Sequence, residues 1–147
     1  MAEIQLYTIG FTKKNAETFF KKIKMAGVQR LIDIRLNNVS QLSGFAKKDD
    51  LKFFLKELCN CEYIHFPQFA PTKEILDNFK KKKINWMEYE EQFVNLLEKR
   101  KAQSLLNLST FDNACLLCSE PTPDNCHRRL VAEYLKDHFD NIEISHL

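Results

Sequence analysis

The chain has 147 residues, of which 22 are basic and 20 acidic, for a net charge of +2. That length supports one domain with a sizeable core, and the balanced charge gives no nucleic-acid footprint; three glycines leave neither a dinucleotide fingerprint nor a phosphate-binding P-loop. No apolar run approaches membrane-spanning length and Met1–Ile4 does not open a signal peptide, so a cytoplasmic protein whose five cysteines stay reduced is expected.

Ile4 to Ile9 mixes β-branched, aromatic and polar residues and stops at Gly10, which predicts a first strand. Ala16, Phe19, Phe20 and Ile23 then recur at helical spacing, with Asn15 as N-cap and Gly27 as the C-terminal stop. Leu31 to Arg35 predicts a second strand, and Asn37 to Gly44 a loop. Leu51, Phe54, Leu55 and Leu58 make a second helical stripe, opened by Asp49 or Asp50. Glu62 to Phe66 is a third strand stopped by Pro67. A short helix starts at Thr72 and frays into Lys80–Lys83, which reads as a solvated helix end. Asn85 and Glu88 have the spacing of a capping box, ahead of a stripe of Trp86, Tyr89, Phe93, Leu96 and Leu97. Ala114–Cys118 is a fourth strand, Arg128–Phe139 a last helix and Ile142–His146 a final strand. This alternation predicts a single α/β domain over 1–147, a mostly parallel sheet of about five short strands with helices on both faces.

The richest stretch is Cys118 to Arg129, which places two thiols, Glu120, His127 and two arginines between the fourth strand and the last helix. Open α/β sheets bind ligands at such strand-to-helix junctions. Cys126, in the expected first turn of that helix, is a candidate nucleophilic or redox thiol, since a helix start favours thiolate; the plain reading is a small packed residue. Cys118, eight positions earlier, can meet Cys126 across the turn or aim with it at one ligand. Cys115 and Cys118 are three apart on a strand and so face opposite sides. Cys59 and Cys61 are expected to be structural. Asp33 and Arg35 share a strand face, either flanking a ligand or forming a buried pair. Glu120 is a candidate base, ligand or salt-bridge partner. Arg128 is expected to face the pocket of Cys126, and Arg129 solvent. His65 and His146, at strand ends, read more simply as hydrogen-bonded structural residues.

Four blocks are similar to a known family. They are Tyr7-Thr8-Ile9-Gly10, Asp33-Ile34-Arg35, Tyr63-Ile64-His65 and Cys118-Ser119-Glu120 with Cys126-His127-Arg128, joined by the terminal His146. Together they resemble domain-of-unknown-function family 488 over nearly the whole chain. The chain departs from that pattern at Phe11-Thr12, where a His and a Ser or Thr are usual, and at Leu36-Asn37-Asn38, where a Pro is usual. The resemblance implies a compact α/β domain with a shared polar pocket and carries no activity with it.

The leading expectation is a Cys/Glu/His/Arg pocket that acts on a small anionic or nucleotide-like substrate. Cys126 or Cys118 would supply a thiolate and Asp33 or Glu120 would handle protons. Arg35, Arg128 and His127 would hold the ligand beside Gly10, Tyr63 and His65. Two alternatives stand beside it: a non-catalytic ligand- or nucleic-acid-binding regulatory module, and a zinc or iron protein built on the Cys/His cluster. The spacing matches no standard four-ligand zinc set, so metal ranks third and no ligand is assigned. Whether the chain is an enzyme, its cofactor and its oligomeric state are left open; a small anionic partner is expected, nucleic acid has weak support, and no membrane contact is expected.

Overall fold

Strands that read as continuous apolar runs must be covered on both faces, and helices between them force a parallel sheet. The computed structural model, which describes residues 3–37, 44–119 and 126–147, has this arrangement. Its chain order is β1 (Ile4–Gly10), α1 (Ala16–Met25), β2 (Arg30–Asp33), α2 (Lys48–Cys59), β3 (Glu62–His65), α3 (Lys73–Lys80), α4 (Trp86–Arg100), β4 (Ala114–Cys118), α5 (His127–His138) and β5 (Ile142–His146). Short 3₁₀ turns lead into α2 and α3 and connect α4 to β4. The strands form one sheet in the order β3-β2-β4-β1-β5, all parallel. The register sets Gly10 beside Cys118 and Asp33 beside Leu117.

Side-chain parity divides the core into two layers. Leu6, Ile32, Ile34 and Leu116 face α4 and α5, where they meet Phe93, Leu97, Val131 and Leu135. Ile9, Leu31, Cys115 and Leu117 face α1 and α2, where they meet Phe19, Ile23, Leu51 and Leu55. Helices therefore cover both faces.

Local signals account for most boundaries. Asn15, Thr72 and Asn85 each accept a hydrogen bond from a first-turn N–H, at 2.8, 3.2 and 2.8 Å, and cap α1, α3 and α4. Glu88 returns the bond to the Asn85 N–H at 3.1 Å, completing the box. Gly27, at φ 72°, follows the end of α1 in the left-handed conformation that glycine adopts without penalty. Several boundaries differ from expectation by a residue or two, and three of them matter most here. The N-cap of α2 is Lys47, which makes no side-chain cap bond; Asp49 and Asp50 lie inside the first turn, where they favour the helix dipole instead. β2 ends at Asp33, so Arg35 lies beyond it. Cys126 is the N-cap of α5, at φ −132°, one step before the first turn in which it was expected.

The topology also determines where a ligand can sit. The connection after β2 runs outward to β3 across the α1–α2 face, and that after β4 runs the other way to β5 through α5. β2 and β4 are neighbours, so their carboxyl ends flank the point at which the winding reverses, where doubly wound sheets open a crevice.

Candidate functional site

A cleft of about 370 Å³ opens at this reversal point. Arg35, Leu36 and Asn37 border it from the end of β2, and Cys118 and Ser119 from the end of β4. Cys126 and His127 close it at the start of α5, while Pro71, Leu76, Phe79, Lys80, Trp86 and Tyr89 form the opposite wall. A groove of similar size between α1 and α2 is lined by Phe20, Phe54, Leu58 and lysine stems. It also holds Glu17 but none of the cysteine, histidine or arginine residues of the signature blocks.

The floor of the cleft is a sulfur–imidazole cluster. Cys118 shares the parity of Leu116, which turns it toward the α4–α5 side. It forms a disulfide with Cys126, across a Cα–Cα distance of 7.2 Å, so the structure leaves Cys59, Cys61 and Cys115 free where all five cysteines were expected to be reduced. His127 Nδ1 lies 3.5 Å from Cys118 Sγ, and the donor atoms of the three residues all fall within 4.8 Å of one another. His127 Nε2 is 2.7 Å from the Ile34 carbonyl. A carbonyl only accepts, so Nε2 carries the hydrogen and the Nδ1 lone pair is directed at the sulfurs. Burial pushes the imidazole down to about 4, outweighing the opposite effects of the Ile34 carbonyl and Asp33, so the ring is neutral at pH 7. The ring edge packs on Phe93, with centroids 5.6 Å apart.

The wall is aromatic. Trp86 and Tyr89 stack at 4.9 Å with an interplanar angle of 17°, and Phe79 packs against both at 5.6 and 5.1 Å. Trp86 stays half-buried at the end of the stack, with Lys80 exposed at the rim.

Asp33 and Arg35 form a different unit. Asp33 shares the parity of Leu31, so its side chain points to the α1–α2 side, away from the thiols. There Arg35 donates from Nε to Asp33 Oδ1 at 2.8 Å and from Nη2 to Oδ2 at 2.7 Å. Nη2 also reaches the Ala46 carbonyl at 2.7 Å, and the guanidinium lies 5.3 Å from the Phe11 ring centroid. The Tyr63 hydroxyl donates to Asp33 Oδ2 at 2.6 Å, and His65 Nε2 donates to the Arg35 carbonyl at 2.9 Å. The carboxylate is thus saturated by hydrogen bonds. Of the guanidinium, Nη1 is buried without a hydrogen-bond partner among the described residues. The unit reads as a brace that holds the end of β2, the plainer of the two expectations for this pair.

The cleft is bordered by Cys118, Cys126, His127 and Arg35 among the residues expected there. Gly10, Tyr63, His65 and Arg128 do not line it. Gly10 is buried beside Cys118 at the sheet end, and Tyr63 and His65 support the brace. Arg128, expected to share the pocket of Cys126, is fully buried near Lys14 and His146, whose pKa values are lowered first by burial and further by the Arg128 charge. One residue along a helix rotates a side chain by about 100°, and His127 already occupies the cleft-facing position. Arg129 pairs with Glu133 at 2.8 Å, and His146 meets the Thr8 hydroxyl at 2.5 Å. Glu120 lies outside the described residues.

A family model, the domain of unknown function DUF488, matches residues 15–135. The chain belongs to this family. Neither curated proteins nor solved structures yield a match. The DUF488 match spans Asp33, Arg35, Tyr63, His65 and the whole Cys118–Arg128 run, so both the brace and the sulfur–imidazole cluster fall within the family's extent.

The sequence reading missed the cleft wall. Trp86 and Tyr89 sit at helical spacing and read as core, since their i, i+3 placement serves packing and a ligand face equally well, and Phe79, on the preceding helix, was not singled out. The available signal was the chain's one tryptophan at the first position of a helix, a place where a large ring is rarely fully buried.

Proposed function

We propose that this chain is an enzyme acting on a small, anionic, ring-bearing substrate of nucleotide-like chemistry, bound in the cleft between the ends of β2 and β4. The observation that carries this reading is the pairing of two buried cysteine sulfurs and a neutral imidazole with a stacked aromatic wall in one cleft; reduction of the Cys118–Cys126 bond frees the two thiols. Aromatic faces take up a planar ring by stacking. The start of α5 and Lys80 at the rim supply positive potential for an anionic group. Cys118, Cys126 and His127 form the reacting end. A module that only bound ligands would need the wall and the positive potential; the thiol–imidazole cluster goes beyond that requirement and favours chemistry.

Trp86 is the only tryptophan, so its fluorescence reports on this cleft directly. Titration with a panel of nucleoside monophosphates and phosphorylated heterocycles is expected to quench it and to raise the melting temperature. Inorganic phosphate alone should act more weakly, because it lacks the stacking ring. A panel that leaves both readouts unchanged would refute the substrate class.

A further inference from the structure

We infer that Cys118, Cys126 and His127 are the protein ligands of a single zinc-type metal ion, bound through two thiolates and one imidazole with a fourth coordination position toward the cleft. The inference rests on the reading of the cleft as a reaction site only for the use of that fourth position; the three ligands stand on their own geometry.

Three observations carry it. The first is the backbone span. Disulfides bridge Cα atoms about 4.4–6.8 Å apart, and pairs beyond about 7 Å need backbone movement. Cys118 and Cys126 are 7.2 Å apart, one anchored at the end of a central strand and the other at the N-cap of a packed helix. A tetrahedral zinc with Zn–S distances of about 2.3 Å separates two sulfurs by about 3.7 Å, where a disulfide holds them at about 2.05 Å. The sulfurs, joined in the structure, part to about 3.7 Å on reduction and metal binding by side-chain rotation, and the metal then bridges the 7.2 Å span with the backbone in place.

The second is the histidine. A metal-ligating imidazole commonly donates its other ring N–H to a carbonyl or carboxylate, which fixes the tautomer and aims the lone pair. His127 does this through Ile34, at 2.7 Å. Zinc distances of about 2.05 Å to nitrogen and 2.3 Å to sulfur place those donors about 3.5 Å apart at the tetrahedral angle. His127 Nδ1 and Cys118 Sγ are 3.5 Å apart.

The third is charge. Cys118 and Cys126 are only 4% and 2% exposed. Two thiolates in such a place are costly alone, but one divalent cation neutralises them. Soft sulfur donors with one imidazole select zinc among the common divalent ions. Among the described residues the site offers three protein ligands, the pattern of catalytic zinc, which keeps a position for water or substrate. The absence of a four-ligand spacing, which places metal third on sequence grounds, is therefore consistent with a catalytic rather than a structural ion.

The test uses the full chain purified under reducing conditions without chelator. Elemental analysis is expected to find about one zinc per chain. Exchange for Co(II) should give the visible bands of a tetrahedral thiolate-bound ion, and removing the metal should expose two further titratable thiols. Cys126→Ser should lose the metal, while Cys115→Ser, three residues upstream of Cys118, should keep it. If Cys126→Ser fails to fold, the wild-type cobalt spectrum and the thiol count still decide. Zinc below about 0.1 per chain after incubation with excess zinc, in protein whose Cys118 and Cys126 are either disulfide-linked or both free, would overturn the inference. Zinc that survives both Cys118→Ser and Cys126→Ser would also overturn it. Zinc at these ligands without any ligand quenching of Trp86 would leave the metal site standing and remove the substrate reading; quenching without zinc would do the reverse.

Discussion

Asp33 is the centre of the brace at the end of β2. It is fully buried, and its two oxygens accept from the Arg35 guanidinium, the Arg35 N–H and the Tyr63 hydroxyl. Removing one partner of a buried ion pair leaves the other charge uncompensated, which costs about 3–5 kcal/mol. Asp33→Asn is therefore expected to lower the urea-unfolding free energy by that amount, and Tyr63→Phe by about 1.5–3 kcal/mol, the range for a hydrogen bond to a charged group. A loss below about 1 kcal/mol in Asp33→Asn would show that the pair contributes little to the fold. The residue scale also explains what sequence could not separate. Asp33 and Cys118 both stand at carboxyl ends of neighbouring strands and both look available to one pocket. Strand parity sends one to the α1–α2 side and the other to the α4–α5 side, and parity across two strands depends on a register that the sequence does not display. Arg128 shows the same limit on a helix, where one position decides between the cleft and the interior.

Among elements, α4 and α2 make a controlled comparison. α4 begins with a full capping box and carries Trp86 and Tyr89 into the cleft wall; α2 begins at Lys47 with no side-chain cap. Asn85→Ala should cost about 1 kcal/mol by the usual effect of losing an N-cap, with Trp86 emission shifting as the first turn frays. Lys47→Ser should gain about 1 kcal/mol, since the backbone there, at φ −77° and ψ 136°, already suits a capping serine. Chemical denaturation of the two variants checks both signs; a destabilised Lys47→Ser would mean that the lysine stem contributes packing of its own. Elements were the most legible level of this chain. β4 and β5 fall at the residues expected, and the caps at Asn15 and Asn85 were readable because capping chemistry is local. The start of α2 was misread because Asp49 and Asp50 suit both a cap and a first turn.

Across the whole molecule, the parallel five-stranded sheet with helices on both faces followed from the alternation of strand and helix patterns. The position of the cleft followed less directly. Its sulfur–imidazole end lies in one sequence run, from Cys118 to His127, and was legible for that reason. Its aromatic end comes from α3 and α4, some 30 to 40 residues upstream, and meets the cluster only because β4 inserts between β2 and β1. No helix among the described residues is long and apolar enough to cross a membrane. The central claim is that these two ends form one binding site. The most direct test follows both ends in one titration of reduced protein treated with a mild chelator. A nucleotide that quenches Trp86 should protect Cys118 and Cys126 from iodoacetamide with the same midpoint, as occupancy of a single site requires. Cys61, whose thiol burial pushes up to about 12, and the fully buried Cys115 should stay unlabelled throughout. Coincident midpoints are the predicted result; quenching of Trp86 with the two thiols still alkylated at their unliganded rate would contradict the account.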